Sequence, residues 1–218
     1  NKCYVYGQGI NGFKYKKDIV LNAGNSGTFA RLILGLLVKS PNYIKLTGDK
    51  SLSKRDFERV ISPLQKVGAN FIVNNKKTLP LKIKGSNFVN PIHYIEKRGS
   101  AQCKSTVMLA ALNSPGKTII KAKKSRDHTE NIFKYLRIPI FIKKKKLTDE
   151  IVIKGQKSFK AFKYKIPSDP SSCAFFIVLT LLSKNSELKI KNVNINESRI
   201  GFIRILNKMG AKIKMMNI

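Results

Sequence analysis

The sequence repeats itself with a period of 71 to 74 residues, and this repeat constrains the fold more than any other feature. A turn of small residues precedes an apolar helical segment three times, starting at Ser26, Ser100 and Ser171, which lie 74 and 71 positions apart. Self-similarity at a fixed spacing indicates one supersecondary unit that is used several times. The 218 residues have room for three such copies, which we call repeats.

Each repeat continues with the same order of elements. After the first helix we predict a strand (43–48, 118–122 and 187–193), and then a second helix that begins with a polar residue and an arginine (53–55, 125–127 and 197–199). The second helices of the first and third repeats end in Gly68-Ala69 and Gly210-Ala211, where the middle repeat has Ile138-Pro139. Strands at 79–85 and 150–155 close the first two repeats. We therefore predict an α/β fold of repeated β-α-β-α-β-β units whose helices share a core.

Apolar spacing supports both helices of the first repeat. The apolar positions recur at intervals of three and four residues, which is typical of one helix face. They are Phe29, Leu32, Ile33, Leu36 and Leu37 in the first helix, and Phe57, Val60, Ile61 and Leu64 in the second.

The basic charge of the chain raises the question of a nucleic-acid partner. The formal net charge is +31, but only 8 of the 43 basic residues are arginines. Residue types with AT-rich codons are plentiful, so genomic base composition accounts for a lysine-rich surface. The lysine run at 143–146 is predicted as a solvated hairpin. We predict no nucleic-acid partner, although a cationic field attracts small anionic metabolites.

A glycine-rich segment at 7–12 matches the G-x-G-x-x-G pattern of dinucleotide-binding folds. That function requires a helix after the glycines and an acidic residue about 20 positions further on. The residues that follow are strand-like instead, and the nearest acid is Asp18. We therefore interpret the segment as a glycine-rich hairpin.

The segment at 22–28, Asn-Ala-Gly-Asn-Ser-Gly-Thr, has the features of an anion site. Its small residues precede a helix whose first backbone N–H groups and dipole favour a bound anion. Arg55 and Arg126 lie 71 positions apart, each predicted just inside a second helix. A guanidinium suits bidentate contact with a carboxylate or a phosphate. On the residues alone, ordinary capped helices with solvated arginines remain the alternative.

No other chemical machinery is evident in the sequence. The three cysteines have no C-x-x-C spacing, and His93 and His128 lack partners at metal-ligand spacing, so we expect neither a disulfide nor a metal. No paired carboxylates or nucleophile–histidine arrangements stand out. No apolar run reaches the roughly 18 residues of a membrane span. The cysteine pattern fits a reducing cytoplasm, so we expect a cytoplasmic protein. Both ends of the chain look like interior strand positions, so we expect a chain truncated at both ends.

These motifs resemble the 5-enolpyruvylshikimate-3-phosphate synthase family. The matching blocks run in family order and are found at 24–28 with Arg31, 46–49, 53–55, 100–105, 125–130, 167–172 and 209–211. The Ser-Ala-Gln form at 100–102 and the Ser-Arg-Asp-His-Thr-Glu form at 125–130 are similar to the branch that includes glyphosate-tolerant bacterial enzymes.

The resemblance implies an inside-out α/β barrel, the enolpyruvyl transferase fold, with two domains of three repeats each and the active site between them. Residues 1–165 would be most of the N-terminal, upper domain, and residues 166–218 the truncated first repeat of the second, lower domain. Asp169, between Pro167 and Pro170, marks this boundary in the sequence.

The family transfers the enolpyruvyl group of phosphoenolpyruvate to the 5-hydroxyl of 3-phosphoshikimate and releases phosphate. This step belongs to the shikimate pathway to chorismate and aromatic amino acids. It uses no metal or organic cofactor. The resemblance therefore implies two small-molecule partners, no membrane and a monomer.

The resemblance also carries over residue by residue. The phosphoenolpyruvate site is implied at Asn25, Gly27, Arg55 and Gln102. The 3-phosphoshikimate site is implied at Ser100, Ala101 (through its backbone N–H), Gln102 and Arg126. Asp56 departs from the family, which usually has proline there, and places a negative charge beside Arg55. Glyphosate occupies the phosphoenolpyruvate site in this family, and a tolerant pattern has alanine in place of Gly27, so we predict sensitivity.

Two parts of the family's pattern are absent from the chain. They are the N-terminal Lys-Ser…Arg segment and the C-terminal half with its acid–base Asp, Glu and Lys residues. We therefore predict that the chain holds no catalytic residues and is inactive alone.

Two alternative functions are weighed against this one. The UDP-N-acetylglucosamine enolpyruvyl transferases share the fold and phosphoenolpyruvate, but the blocks at 100–102 and 125–130 favour the shikimate substrate. A basic RNA-binding module of α/β repeats requires exposed aromatic residues interleaved with arginine. Phenylalanine and tyrosine here fall mostly on apolar stripes instead.

Overall fold

A computed structural model describes residues 3–10, 12–13, 15–155, 158 and 160–216. The chain forms two compact lobes, Asn1–Ala161 and Phe162–Ile218. The first lobe contains β1 (Val20–Asn22), α1 (Gly27–Leu36), β2 (Ile44–Thr47), α2 (Glu58–Lys66), β3 (Asn70–Ile72), β4 (Leu81–Lys84), β5 (His93–Glu96), α3 (Ala101–Ala111), β6 (Lys117–Lys123), α4 (His128–Tyr135), β7 (Ile140–Lys144) and β8 (Thr148–Lys154). The second lobe contains α5 (Pro170–Leu182) and α6 (Gly201–Lys208). In the described part of the chain, no helix has the length and apolar character to cross a bilayer.

The first two repeats have the same topology. Each forms a four-stranded sheet, in the order β1-β2-β4-β3 for the first and β5-β6-β8-β7 for the second. In both sheets the first two strands are parallel, as a helical crossover requires, and the other pairs are antiparallel. The predicted β-α-β-α-β-β order is therefore confirmed for these two repeats.

The parallel pairs determine where the functional loops emerge. Asn22 at the end of β1 lies opposite Thr47 at the end of β2, and Glu96 at the end of β5 lies opposite Ala122 in β6. Because parallel strands end at the same sheet edge, the loops before the first and second helices of a repeat leave side by side. The small-residue turns at Ser26 and Ser100, which we call the first and second anion turns, lie in these loops together with the two predicted arginines.

The two repeats share one core, in which α1 and α3 pack closely together. A Cβ at Gly35 would stand 2.3 Å from the carbonyl oxygen of Thr106, so only glycine allows this approach. The Thr106 hydroxyl lies 3.0 Å from the carbonyl oxygen of Arg31 and 2.9 Å from that of Gln102. Helix α3 is buried on nearly all sides, and its buried residues include Lys104.

The predicted helix faces have different outcomes. The stripe of α2 is confirmed, since its four residues are all buried. The stripe of α1 is partly wrong: Phe29 is 42% exposed, and the buried residues of the helix are Gly27, Ala30, Leu34 and Gly35. Small residues let α3 approach this face, and they carry little hydrophobic signal in the sequence.

The second helices of all three repeats end in the same motif. Gly68, Arg137 and Gly210 have φ values of 107°, 55° and 98°. The residue after each donates its N–H to a carbonyl five positions back, at 2.9 to 3.0 Å. This is the Schellman motif. The two glycine pairs are thus confirmed as helix ends, and the middle repeat keeps the geometry with an arginine in the left-handed region.

Several predicted boundaries are wrong. The second helices begin later than predicted, at Glu58, His128 and Gly201, because the chain first makes a short 3₁₀ turn or loop. Helix α5 begins at Pro170 rather than at Ser171, because Asp169 caps it by accepting a hydrogen bond from the Ser171 N–H at 3.2 Å.

Two predicted strand regions do not form. In place of the strand at 187–193 there is one isolated parallel bridge between Ser168 and Val193, since Asn192 has a φ of 56° and interrupts the extended backbone. Among the described residues of the glycine-rich segment, the Gly12 N–H donates to the Gly9 carbonyl at 3.1 Å and no strand is formed, so the predicted hairpin is not found there. Residues 11 and 14 of that region, and Asn1 and Lys2 before it, lie outside the described residues.

Candidate functional site

Two capped helix N-termini form the framework of the site. The Ser26 hydroxyl accepts the N–H of Phe29 at 3.1 Å and fixes the start of α1 at Gly27. The Ser100 hydroxyl accepts the N–H of Cys103 at 3.3 Å and fixes the start of α3 at Ala101. A serine cap satisfies one of the free N–H groups of a helix and leaves others available to an anion.

Arg55 precedes α2, so the prediction that it lies just inside the second helix is wrong. The Asp49 carboxylate accepts the Leu52 N–H at 2.7 Å and closes a 3₁₀ turn over Leu52–Lys54. Arg55 follows with extended backbone (φ −80°, ψ 141°). Its Nη2 donates to Asn25 Oδ1 at 3.2 Å, which brings the guanidinium to the start of α1.

Gly27 lies against two guanidinium groups. A Cβ built on Gly27 would stand 2.9 Å from Nη1 of Arg55 and 3.1 Å from Nη1 of Arg31. Burial lowers the pKa of the Arg31 guanidinium. The charges of Arg59 and Arg55 also lower it, whereas Cys103 and Asp56 act in the opposite direction. Accumulated positive charge of this kind favours a bound anion, which would relieve the repulsion.

Gln102 joins the two helix starts. Its Oε1 accepts a hydrogen bond from Arg31 Nη1 at 2.7 Å, and its Nε2 donates to the Thr28 hydroxyl at 2.8 Å. A side chain from the first turn of α3 therefore rests on the first turns of α1. This position lies between the two predicted substrate sites.

A buried glutamate shapes the turn before α3. Glu96 is 4% exposed, and its carboxylate accepts the backbone N–H groups of Arg98, Gly99 and Ser100 at 3.2, 2.5 and 2.9 Å. Gly99 has a φ of 72°, which glycine adopts readily. The three bonds fix the backbone that presents Ser100 and Ala101.

Arg126 also precedes its helix, by two residues, so the prediction that it lies inside α4 is wrong. Its carbonyl oxygen accepts a hydrogen bond from Nζ of Lys104 at 3.0 Å. Lys104 belongs to the first turns of α3, so this bond ties the Arg126 backbone to the helix that begins after Ser100. The Arg126 side chain is exposed.

Asp56 stabilises a helix start. Its Oδ1 accepts the Glu58 N–H at 2.7 Å, at the beginning of α2. A carboxylate at a helix N-terminus is favourable both as a hydrogen-bond acceptor and in the helix dipole. Asp56 therefore supports the start of α2 from the position before the N-cap residue, Phe57.

The structure thus brings the predicted residues into two neighbouring groups. Asn25, Gly27, Arg55 and Gln102 form one cluster, and Ser100, Ala101 and Arg126 lie at the turns before α3 and α4. Their roles toward ligands stay predictions. Within the described ranges, no three His, Cys, Asp or Glu residues are grouped so as to hold a metal.

Sequence reasoning assigned no role to several residues that complete these groups. They are Thr28, Arg31, Glu96, Lys104 and Glu130. Arg31 lies four residues after Gly27, so helical spacing places both residues on the same face of α1. A lysine inside the apolar run 101–111 was the available signal for Lys104.

Comparison with known proteins shows which family the chain is similar to. The model of the family described as EPSP synthase (3-phosphoshikimate 1-carboxyvinyltransferase) matches residues 1–217. A 3-phosphoshikimate 1-carboxyvinyltransferase of Ruthia magnifica is 45% identical over 98% of this chain, and one of Petrotoga mobilis is 43% identical over 100% of it. The solved EPSP synthase of Acinetobacter baumannii is 34% identical over 97% of the chain, with a TM-score of 0.85.

The matches cover only part of the relatives. The chain spans 48% of the Ruthia protein, 50% of the Petrotoga protein and 47% of the solved Acinetobacter chain. It therefore spans about half the length of the relatives it matches.

Proposed function

We propose, since the chain belongs to the EPSP synthase family, that it supplies substrate-binding residues for transfer of the enolpyruvyl group of phosphoenolpyruvate to the 5-hydroxyl of 3-phosphoshikimate. In this proposal the residues described here bind and orient the two substrates. The enolpyruvyl group leaves its phosphate and is taken up by the 5-hydroxyl oxygen. Acid–base groups for the proton transfers are not among the residues that we assign.

One observation carries the proposal: Gln102 connects two helix N-termini, each with an arginine in the adjacent loop. The side-chain amide of Gln102, on α3, forms hydrogen bonds with Arg31 and Thr28. The ligands of the two turns would therefore lie on either side of Gln102. Two anions held side by side are what a transfer between two phosphorylated substrates requires, because reacting groups must be oriented in contact.

We assign phosphoenolpyruvate to the turn of Asn25, Gly27 and Arg55. Arg55 and Arg31 both lie against Gly27, where the lack of a side chain lets the two guanidinium groups approach the backbone. A ligand with a carboxylate and a phosphate suits two guanidinium groups.

We assign the phosphate of 3-phosphoshikimate to Ser100, Ala101 and Arg126. The first two present a hydroxyl and a helix N-terminal N–H, and the third supplies a positive charge. Backbone N–H groups at a helix start are an established type of phosphate site.

Calorimetric titration of the chain tests the proposal. The ligands are 3-phosphoshikimate, shikimate, phosphoenolpyruvate, UDP-N-acetylglucosamine and a short RNA. We expect binding of 3-phosphoshikimate and phosphoenolpyruvate, and weaker binding of shikimate because it lacks the phosphate. Preferential binding of UDP-N-acetylglucosamine or of RNA would contradict the proposal and favour the corresponding alternative.

A matched pair of arginine variants separates a site from general charge. Arg126→Ala removes a charge from the proposed phosphate site, whereas Arg204→Ala removes one from α6 in the second lobe. Only Arg126→Ala should weaken the binding of 3-phosphoshikimate. A monomeric, cytoplasmic protein stays our expectation, and light scattering of the purified protein measures its oligomeric state.

A further inference from the structure

A buried lysine–glutamate pair lies behind the second anion turn. Lys104 is 1% exposed and Glu130 is 3% exposed, and the two form an ion pair. Taking two charges out of water costs several kcal/mol for each ion, and their attraction offsets this only when the remaining groups are also bonded. A buried pair of this kind therefore calls for a reason other than stability.

The lysine makes a second bond that suggests the reason. Its Nζ donates to the carbonyl oxygen of Arg126 at 3.0 Å. The next residue of α3, Ser105, shares a hydrogen bond of 2.6 Å with the hydroxyl of Thr129. Together these contacts fasten the segment from Arg126 to Glu130 to the first turns of α3.

The same helix turns carry the other half of the proposed phosphate site. The Lys104 N–H donates to the Ser100 carbonyl at 3.1 Å, so the lysine lies one turn beyond the cap. The pair thus connects Ser100 and Ala101, on one side, with Arg126, on the other.

The fold of a repeat does not depend on such a pair. In the first repeat the equivalent positions are occupied by Ala30 and Arg59, and that repeat has the same strand order. Ala30 is fully buried. A lysine–glutamate pair is therefore a feature of the second repeat, where the phosphate is proposed to bind.

We propose that Lys104 and Glu130 are positioning residues, which hold the Arg126 backbone in register with Ser100 and Ala101 so that all three reach one phosphate. Neither side chain touches the ligand in this arrangement. The identity of the ligand in this inference rests on the proposed function. The fastening of residues 126–130 to α3 does not.

The test is the double variant Lys104→Met/Glu130→Leu. It removes both charges and keeps apolar side chains of similar length, a change that is often neutral or stabilising for a buried pair. The matched control is Arg204→Met/Glu197→Leu, which removes an ion pair with the same charges from the second lobe. Thr129→Val is a second variant that cuts the neighbouring hydroxyl bond and leaves the ion pair in place.

Three measurements are compared between the variants. Thermal unfolding reports the fold, hydrogen exchange of amides 126–131 reports the fastening, and calorimetry reports the two ligands. For the double variant we expect an unchanged or higher unfolding midpoint and faster exchange of amides 126–131. Binding of 3-phosphoshikimate should be about tenfold weaker, as for a lost charge-assisted contact, and binding of phosphoenolpyruvate should not change. The control should leave all of these unchanged, and Thr129→Val should show the same pattern to a smaller extent.

The outcomes separate the possible failures. A folded double variant with unchanged exchange and unchanged 3-phosphoshikimate affinity would show that the pair has no positioning role. Equal loss of both ligands would indicate general loss of structure and would also refute the inference. If the original chain did not bind 3-phosphoshikimate, the proposed function would fail, and exchange alone would still decide whether the pair fastens Arg126. If the double variant did not fold, exchange and affinity in Thr129→Val would decide.

Discussion

Replacement of Gly27 by alanine tests the first anion turn most directly. The new Cβ would stand 2.9 Å from Nη1 of Arg55 and 3.1 Å from Nη1 of Arg31, and 3.7 Å from the nearest carbon of Leu52. The two short contacts are with the ends of flexible side chains rather than with backbone. We therefore expect the guanidinium groups to move and the fold to remain.

The magnitude follows from these distances. A carbon atom needs about 3.5 Å from its neighbour, so Arg55 must withdraw by roughly 0.5 Å. This stretches its 3.2 Å bond to Asn25 and shifts the donor that is proposed to hold the anion. Loss of part of a charge-assisted contact of about 1.5–3 kcal/mol leaves a deficit near ~1 kcal/mol. That deficit corresponds to about fivefold weaker phosphoenolpyruvate binding.

Glyphosate should lose more affinity than phosphoenolpyruvate. Glyphosate carries its carboxylate and its phosphonate on a longer chain than phosphoenolpyruvate, so in the proposed site we expect it to lie closer to the added methyl group. Overpacking of this kind costs about 1–3 kcal/mol. The original sequence should accordingly be glyphosate-sensitive, and Gly27→Ala tolerant.

Calorimetry of the original chain and the variant with both ligands measures the two changes. The matched control is Gly201→Ala: Gly201 is likewise the first residue of a helix, and no heavy atom outside its own helix and chain neighbours lies within 4 Å of the position of its Cβ. A folded Gly27→Ala variant with unchanged affinity for both ligands would refute the geometry. Equal fold-changes for the two ligands would show that Gly27 acts through the arginines and does not contact the inhibitor.

Four further predictions follow from the structure. Arg126→Ala should weaken 3-phosphoshikimate more than phosphoenolpyruvate, and Arg55→Ala the reverse, by about 1.5–3 kcal/mol each in calorimetry; equal losses of both ligands would contradict the assignment. Arg137→Gly should raise the free energy of unfolding by about 1 kcal/mol in urea titration, because an L-residue in the left-handed region is strained; a lower value would indicate that the side chain stabilises the helix end. The hydrogen bond from the Ser171 N–H lowers the pKa of the Asp169 carboxyl group, so the stabilisation of α5 by this cap is present above the pKa of the unfolded chain and is lost as the pH falls through the lowered pKa of the folded chain. Circular dichroism should show loss of helix in this pH range for the original chain and not for Asp169→Asn. The chain alone should release no phosphate from the two substrates, and turnover near that of a complete relative would contradict this.

The repeat order could be predicted from the sequence because its signals are local and occur more than once. Two of the three small-residue turns and the two glycine-terminated helices are where the spacing places them. The starts of the second helices could not be placed in this way. They depend on hydrogen bonds such as that from the Leu52 N–H to Asp49, which insert a 3₁₀ turn before the helix.

The parts of the site that the sequence did not reveal depend on contacts between distant residues. Lys104 interrupts an apolar run, but its partner lies 26 positions later on another helix. The small-residue face of α1 is buried because α3 comes close, not because its residues are hydrophobic. Glu96 gives no sign in the sequence that three N–H groups converge on it.

The two repeats also show how one supersecondary unit can serve two different anions. The equivalent positions in the first and second repeats are Ala30 and Lys104, Arg31 and Ser105, Arg55 and Arg126, and Arg59 and Glu130. The backbone is the same in strand order, and each repeat keeps one arginine in the loop before its second helix. The charges around that arginine differ.

In the first repeat the pKa of Arg31 is lowered by burial and, to a smaller extent, by the charges of Arg59 and Arg55. In the second repeat the added positive charge of Lys104 is paired with Glu130 and buried, whereas Arg98 and Arg126, in the loops before α3 and α4, are exposed. Phosphoenolpyruvate carries its carboxylate and its phosphate on a three-carbon frame, whereas 3-phosphoshikimate carries them on a six-membered ring that also bears two hydroxyl groups. The clustered guanidinium groups of the first turn suit the compact ligand, whose two anionic groups lie close together. The second turn, where the buried pair fastens the Arg126 backbone, suits the phosphate of the larger ligand.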